Sequence, residues 1–203
     1  ADEILYMDAV ASLYERNSLN AIVEKVSKKL FIPLTVGGGI RSVENIVHIL
    51  RSGADKVAIN TAAVRNPEFI SEAANKFGSQ CIVCSIEAKK IGNNWEVYVD
   101  TGREATGMDA IQWAKQSVEL GAGELLMTSI DNEGTKKGFE IDLIEKVASV
   151  VPVPVIACGG AGKVSDIVNL RNSFPISAVA CASIFHYELV KINELKDGLE
   201  NNG

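Results

Sequence analysis

Phe31-Ile-Pro-Leu-Thr-Val-Gly-Gly-Gly-Ile40 decides the fold, because the chain writes the same pattern again at Val153-Pro-Val-Ile-Ala-Cys-Gly-Gly-Ala-Gly-Lys163. Each copy is a short apolar or β-branched run that opens into glycines before a helical pattern. Pro33 and Pro154 stand 121 residues apart, as do Gly38 and Gly159, and Gly39 and Gly160. A buried strand ending in glycine lets bare backbone N–H groups approach a ligand, and a helix N-terminus behind it favours an anion. A phosphate or carboxylate is the expected guest at each turn.

The repeat reaches beyond these two turns. Glu3-Ile-Leu-Tyr-Met-Asp8 aligns with Glu124-Leu-Leu-Met-Thr-Ser129, again 121 residues apart, and Val57-Ala-Ile-Asn-Thr61 aligns with Val179-Ala-Cys-Ala-Ser183 at 122. Strand-like runs at Ile4–Met7, the first glycine strand, Lys56–Asn60, Cys81–Glu87, Glu124–Ser129, Val153–Ala157 and Ser177–Cys181 alternate with helical patterns. Those patterns cover Leu19–Leu30, Val43–Arg51, Pro67–Phe77, Asp109–Leu120, Ile141–Val150, Val164–Asn172 and Val190–Glu200. Lys90–Thr101, with Gly92-Asn-Asn94 at its turn, reads as an inserted β-hairpin. Continuous apolar strands alternating with helices mean a parallel sheet covered by helices, which a doubly wound sheet and a closed barrel both satisfy. The repeat selects between them. It predicts an α/β fold, a (β/α)8 TIM barrel of two half-barrels, with residues 1–203 as a single domain. By the same logic the seven strands are the second to the eighth, and a first βα unit of about 40 residues is expected ahead of Ala1.

Composition fits that reading. The chain has 203 residues, 47% apolar and 6% aromatic, enough for one substantial core. A formal net charge of −6, with no block of basic residues, argues against a nucleic-acid surface. No apolar run reaches membrane-spanning length, and no signal peptide opens the sequence. Cys81, Cys84, Cys158 and Cys181 all sit in apolar strand-like runs, a usage that suggests buried, reduced thiols and hence a cytoplasmic protein. Cys81-x-x-Cys84 lacks a second ligand pair, and His48 and His186 are the only histidines, so no metal site and no cofactor are expected.

In a barrel of this type the active site forms at the C-terminal ends of the strands. The candidates there are Asp8, Gly38, Gly39, Asn60, Thr61, Glu87, Thr128, Ser129, Asp131, Gly159, Gly160, Ala182 and Ser183. Gly38 and Gly39 with Asn60 and Thr61, and Gly159 and Gly160 with Ala182 and Ser183, make two phosphate cradles on opposite sides of one mouth. A substrate phosphorylated at both ends is the expectation. Glu87 closes an otherwise apolar strand, a setting that can raise a carboxyl pKa and suits general acid–base work; the alternative is a carboxylate paired with Lys89 or another mouth residue. Glu3, Lys56 and Glu124 begin their strands and so lie at the bottom of the barrel. From pattern alone they read as a salt-bridged structural layer.

Several stretches then carry a specific resemblance. Thr35-Val-Gly-Gly-Gly-Ile-Arg41, Gly53-Ala-Asp-Lys-Val57, Ile59-Asn-Thr-Ala-Ala-Val64, Phe77-Gly-Ser-Gln80, Gly121-Ala-Gly-Glu124, Thr128-Ser-Ile-Asp131, Gly134-Thr-Lys136 and Gly159-Gly-Ala-Gly-Lys163 resemble the cyclase subunit of imidazole glycerol phosphate synthase. The resemblance covers essentially the whole chain. It implies a cyclase/lyase that takes ammonia from a glutaminase partner docked at the barrel bottom. The implied reaction converts a bisphosphorylated ribulosyl formimino substrate into imidazole glycerol phosphate and an aminoimidazole carboxamide ribotide. It recasts Glu3, Lys56 and Glu124 as an ammonia gate, whose fourth member is an Arg of the family's first strand. Gly39, Asn60 and Thr61 match one phosphate site, and Gly160, Ala182 and Ser183 match the other. Glu87 falls where the family has a catalytic Asp, whose partner Asp belongs to the first strand. Asp8, Gly38, Thr128, Asp131, Glu133, Gly134 and Gly159 complete the implied substrate site.

Two residues depart from the family pattern: positions 87 and 133 are normally Asp, and both are Glu here. An extra methylene moves a carboxylate by about an ångström, and errors of that size cost roughly a hundredfold in rate. The departure keeps two alternatives in view. One is a cyclase-like subunit that delivers ammonia for acetamidino-sugar formation in surface-polysaccharide synthesis. The other is a non-catalytic phosphate-binding scaffold.

Overall fold

The computed structural model describes residues 1–8 and 19–201. In chain order its elements are β1 (Ile4–Met7), α1 (Leu19–Ser27), β2 (Leu34–Gly37), α2 (Val43–Arg51), β3 (Lys56–Ile59), α3 (Thr61–Arg65) and α4 (Glu68–Phe77). These are followed by β4 (Ile82–Ile91), β5 (Asn94–Val99), β6 (Glu104–Asp109), α5 (Ala110–Glu119) and β7 (Glu124–Ser129). Last come α6 (Ile141–Ala148), β8 (Val155–Cys158), α7 (Val164–Ser173), β9 (Ala178–Ala180), α8 (Ser183–His186) and α9 (Ile192–Glu200). Helix starts follow local chemistry. Ser42 accepts the Asn45 N–H at the head of α2, and the Asp109 carboxylate accepts those of Ile111 and Gln112, both at 2.9 Å, at the head of α5.

Seven strands pair in parallel in the order β1-β2-β3-β4-β7-β8-β9, the nearly closed sheet of a TIM barrel. Among the described residues no pairing joins β1 to β9, yet the two borders curl towards each other. Lys196 of α9 reaches Asp2, just before β1, at 2.6 Å. The predicted hairpin is present and longer than expected. β4 runs on past the barrel and pairs antiparallel with β5, and β5 pairs with a third strand, β6. Alternation hid β6 in the sequence, because Glu104-Ala-Thr-Gly-Met-Asp109 has little apolar content and a glycine inside.

Strand alternation divides the side chains into two cores. Val36, Val57, Ile59, Ile82, Ile86, Leu125, Met127 and Val155 point out against Ile46, Ile70, Trp113, Leu143 and Leu170 of the surrounding helices. Each fully buried aliphatic side chain of that layer contributes about 1.5–3 kcal/mol by leaving water. Ala58, Val83 and Leu126 form a second, smaller cluster with Leu5, Ile156, Cys158 and Ala180 on the opposite face of the sheet, the inside of the barrel. The inward positions run from the strand starts to the mouth. Glu3, Lys56 and Glu124 sit at or just before the starts of β1, β3 and β7, and Leu5, Ala58 and Leu126 follow two residues on. Val83 is paired with Glu124 and Ala58 from the strand between, and Glu87, Thr128 and Cys158 pair in one row towards the mouth.

Candidate functional site

The mouth is built around two matching corners. After β2, Gly38 and Gly39 take φ of 102° and 66°; after β8, Gly159 and Gly160 take 93° and 110°. A Cβ on Gly38 would sit on the Asp8 carbonyl oxygen, and one on Gly160 on the Gly138 carbonyl oxygen. Only glycine allows that approach. The neighbouring strands end alike: β3 leads through Asn60 into α3, and β9 leads through Ala182 into α8. Thr61 and Ser183, the first residues of these short helices, are the pair that the sequence repeat aligned at 122 residues. The helices themselves were not visible in the sequence, since four or five residues do not complete a hydrophobic period. Gly159, Gly160, Ala182 and Ser183 line one small concavity together with Glu133, Gly134, Cys158 and Cys181.

Between the corners runs a single row. Glu87 is level with Thr128, Thr128 with Cys158, and Cys158 with Ala180. Glu87 Oε2 is buried without a hydrogen-bond partner, and so is Asn60 Oδ1. The Glu87 pKa is raised, first by burial and then by the charges of Asp100 and Glu133, against a hydrogen bond from the Gly102 N–H that favours the ionised form. Pairing with Lys89 does not account for Glu87, because the Lys89 ammonium lies over the Tyr98 ring, 5.8 Å from its centroid. Glu133 also has a raised pKa, through burial. The mouth thus holds two carboxyl groups biased towards the protonated form, flanked by turns suited to anions. The same loss of solvation pushes the Cys158 thiol up to about 11, and the nearby Glu133 charge adds to it.

Other predicted site residues are held by the framework. The Asp131 carboxylate accepts the Lys90 N–H at 2.8 Å and fixes the loop after β7 to β4. Ser129 donates to Asn132 at 3.0 Å, and Asn132 donates to the Gly138 carbonyl at 2.7 Å, so the loop carrying Glu133 and Gly134 is braced beside the Gly159–Gly160 turn. The Gly138 N–H in turn donates to the Gly160 carbonyl at 2.8 Å. The Asp8 N–H donates to the Gly37 carbonyl at 2.9 Å, which backs the first turn. Asp100, Gly102 and Arg65, which sequence reasoning passed over, lie close by: Arg65 bonds Asp100 at 2.7 Å, and a Cβ on Gly102 would stand 3.8 Å from Glu87 Oε2. Their signal was the hairpin, which returns its closing turn beside Glu87 in the middle of β4.

At the other end of the barrel Lys56 reaches Glu3 at 3.2 Å and Glu124 at 2.6 Å. Burial works against the Lys56 charge, but hydrogen bonding and attraction to Glu124, then to Glu3, outweigh it and raise its pKa. The four thiols are free, and among the described residues no group of three or more His, Cys, Asp or Glu side chains could hold a metal ion. No helix among them is long and apolar enough to cross a membrane.

Comparison with known proteins gives one family. The family described as histidine biosynthesis protein matches residues 1–191. Imidazole glycerol phosphate synthase subunit HisF of Legionella pneumophila is 58% identical over 167 residues, 82% of this chain and 79% of the relative. The protein of the same name from Dehalococcoides mccartyi is 48% identical over 203 residues, 100% of this chain and 80% of the relative. That of Bacillus cereus is 50% identical over 202 residues, 99% of this chain and 80% of the relative.

Proposed function

This chain belongs to the histidine biosynthesis protein family, and we propose that the mouth of its barrel carries out the cyclase chemistry of imidazole glycerol phosphate synthase. Identity of 48–58% to synthase subunits over most of the chain supports the cyclase function in histidine biosynthesis. Neither the acetamidino-sugar reading nor the scaffold reading is favoured. One observation carries the site assignment. A buried carboxyl, Glu87, has an unmet oxygen midway between two glycine turns that repeat each other in sequence and in backbone shape.

In this reading the bisphosphorylated ribulosyl substrate lies across the mouth. One phosphate sits on the Gly38–Gly39 turn with Asn60 and Thr61, and the other on the Gly159–Gly160 turn with Ala182 and Ser183. The substrate's reacting carbons are then held over the Glu87–Thr128 row. Closing an imidazole ring with ammonia requires a proton delivered to a departing oxygen and another removed from nitrogen. A carboxyl with a raised pKa does the first when protonated and the second once ionised. Glu133, beside it, is the second carboxyl of the mouth.

Ammonia enters from the opposite end. A glutaminase subunit docks on the barrel bottom, and neutral ammonia passes the Glu3–Lys56–Glu124 cluster. It then follows the apolar inner layer of Leu5, Ala58, Val83 and Leu126 to Glu87. The complex works in the cytoplasm. Ammonium-driven turnover of the ribulosyl formimino bisphosphate by the full-length enzyme tests the assignment. Glu87→Gln is expected to lower kcat by about a hundredfold or more while the substrate still binds. Turnover that survives this substitution would remove Glu87 from the chemistry.

A further inference from the structure

We propose that Asp100, gripped by both ends of α3, is a positioning residue that fixes the Glu87 carboxyl and links its placement to the Asn60–Thr61 phosphate corner. This rests on the reading of Glu87 given above. The turn closing the β5–β6 hairpin places three successive residues at positive φ: Asp100 at 50°, Thr101 at 63° and Gly102 at 71°. Two adjacent non-glycine residues in that region persist only where the surroundings over-determine them. Here the Val99 carbonyl accepts the Arg103 N–H at 3.1 Å and closes the turn. The rest of the restraint comes from α3. Thr61 Oγ1 accepts the Asp100 N–H at 3.1 Å, and Arg65 Nη2 donates to the Asp100 carboxylate at 2.7 Å.

Thr61 and Arg65 stand four residues apart, so they share one face of the helix and hold Asp100 from two sides. Arg65 also reaches Glu104 on the far side of the turn at 3.3 Å. Asn60 adds a longer contact, Nδ2 to the Tyr98 carbonyl at 3.5 Å. The product of this clamp is the location of Gly102. Gly102 lies against the Glu87 carboxyl: a Cβ there would stand 3.8 Å from Glu87 Oε2 and 3.4 Å from Ile130 Cδ1, and its backbone N–H favours the ionised form of the acid. The residues on which one phosphate is read to rest are therefore those that hold the turn steering the acid.

The clamp also sets charge. The groups facing Glu87 are Asp100 from the turn and Glu133 from the loop after β7; Arg65 partly offsets Asp100, and Lys89 is turned onto Tyr98. Removing Asp100's charge lowers the Glu87 pKa, whereas removing Arg65 leaves that charge unopposed and raises it. A merely structural lesion does not give shifts of opposite sign.

The experiment measures ammonium-driven kcat, KM and the pH profile of the full-length enzyme for wild type, Asp100→Asn, Arg65→Ala and Arg65→Lys, with Glu87→Gln as reference. Asp100→Asn keeps the shape of the side chain. It is expected to lower kcat about tenfold with KM changed less than about threefold, because the acid is misplaced more than the phosphate. The apparent pKa should move down in Asp100→Asn, up in Arg65→Ala and back towards wild type in Arg65→Lys. Shifts of the same sign, or none, in an enzyme that Glu87→Gln still disables would overturn this inference alone. An enzyme indifferent to Glu87→Gln would overturn the assignment of Glu87, and this inference with it.

Discussion

Gly160→Ala, set against Gly92→Ala, isolates what the second corner demands of its backbone. Both glycines have positive φ, 110° and 61°. At Gly92, in the turn between β4 and β5, an added Cβ meets nothing within 4 Å. Alanine there costs only its left-handed conformation, about 1–2 kcal/mol. Gly160 lies outside the left-handed well, so the intrinsic cost is larger, and its Cβ would occupy the place of the Gly138 carbonyl oxygen. That backbone must retreat, straining or breaking the 2.8 Å bond from the Gly138 N–H to the Gly160 carbonyl. A lost hydrogen bond costs about 1 kcal/mol and overpacking about 1–3 kcal/mol more, so with the backbone cost Gly160→Ala should cost about 3–6 kcal/mol in all. For a chain of this size each kcal/mol lowers Tm by about 2–4 °C. Thermal unfolding should therefore separate the two variants by several degrees. Isothermal titration with inorganic phosphate should show weakened binding only in Gly160→Ala. Equal Tm losses, or unchanged phosphate affinity in Gly160→Ala, would refute the close-approach argument.

Three further outcomes follow from the same geometry. Glu87 and Glu133 have raised pKa values in the fold, so the folded state binds more protons than the unfolded chain and stability falls as pH rises from the ordinary carboxyl range. Glu87→Gln should accordingly be more stable than wild type to urea at pH 7, an advantage that vanishes below about pH 4, the unperturbed range of a glutamate. Lys56→Met leaves the half-buried Glu124 without its 2.6 Å partner and should cost about 1–3 kcal/mol in the same assay. The raised Lys56 pKa keeps that contribution intact below pH 10.5 and removes it only as pH rises through the folded value. With the glutaminase bound, Lys56→Met should also reduce glutamine-driven turnover more than ammonium-driven turnover. Burial holds the thiols of Cys84 at about 12 and of Cys158 and Cys181 at about 11, so iodoacetamide at pH 7.5 should label all three far more slowly than a free cysteine, as mass spectrometry can follow.

What the sequence made legible was whatever repeats or alternates. The glycine strands, the 121-residue offset and the apolar runs carry the parallel sheet and both glycine turns in plain view. Glu87 was legible because a carboxylate ending an apolar strand contradicts its surroundings. The missed parts have no period. α3 and α8 are too short to show a hydrophobic face, β6 has too few apolar residues, and the Arg65–Asp100 bond joins residues 35 positions apart. Asp131 shows a contact that no spacing announces: its carboxylate accepts the Lys90 N–H and ties the loop after β7 to β4.

The two halves of the barrel differ in structure at the β4–β5–β6 extension. On the proposed reading, duplication supplies two anion corners for a substrate with a charge at each end, and a symmetric mouth would treat those ends alike. The β4–β5–β6 extension breaks the symmetry: the sequence puts it after Glu87, and its closing turn folds back onto α3 and not onto α8. One corner is thereby bound to the acid, through Asp100 and Gly102, while the other is braced by the loop of Asn132 and Gly138 that carries Glu133. A bisphosphate lying across such a mouth meets a different carboxyl arrangement at each end, which gives a reaction that treats its two halves differently a defined direction.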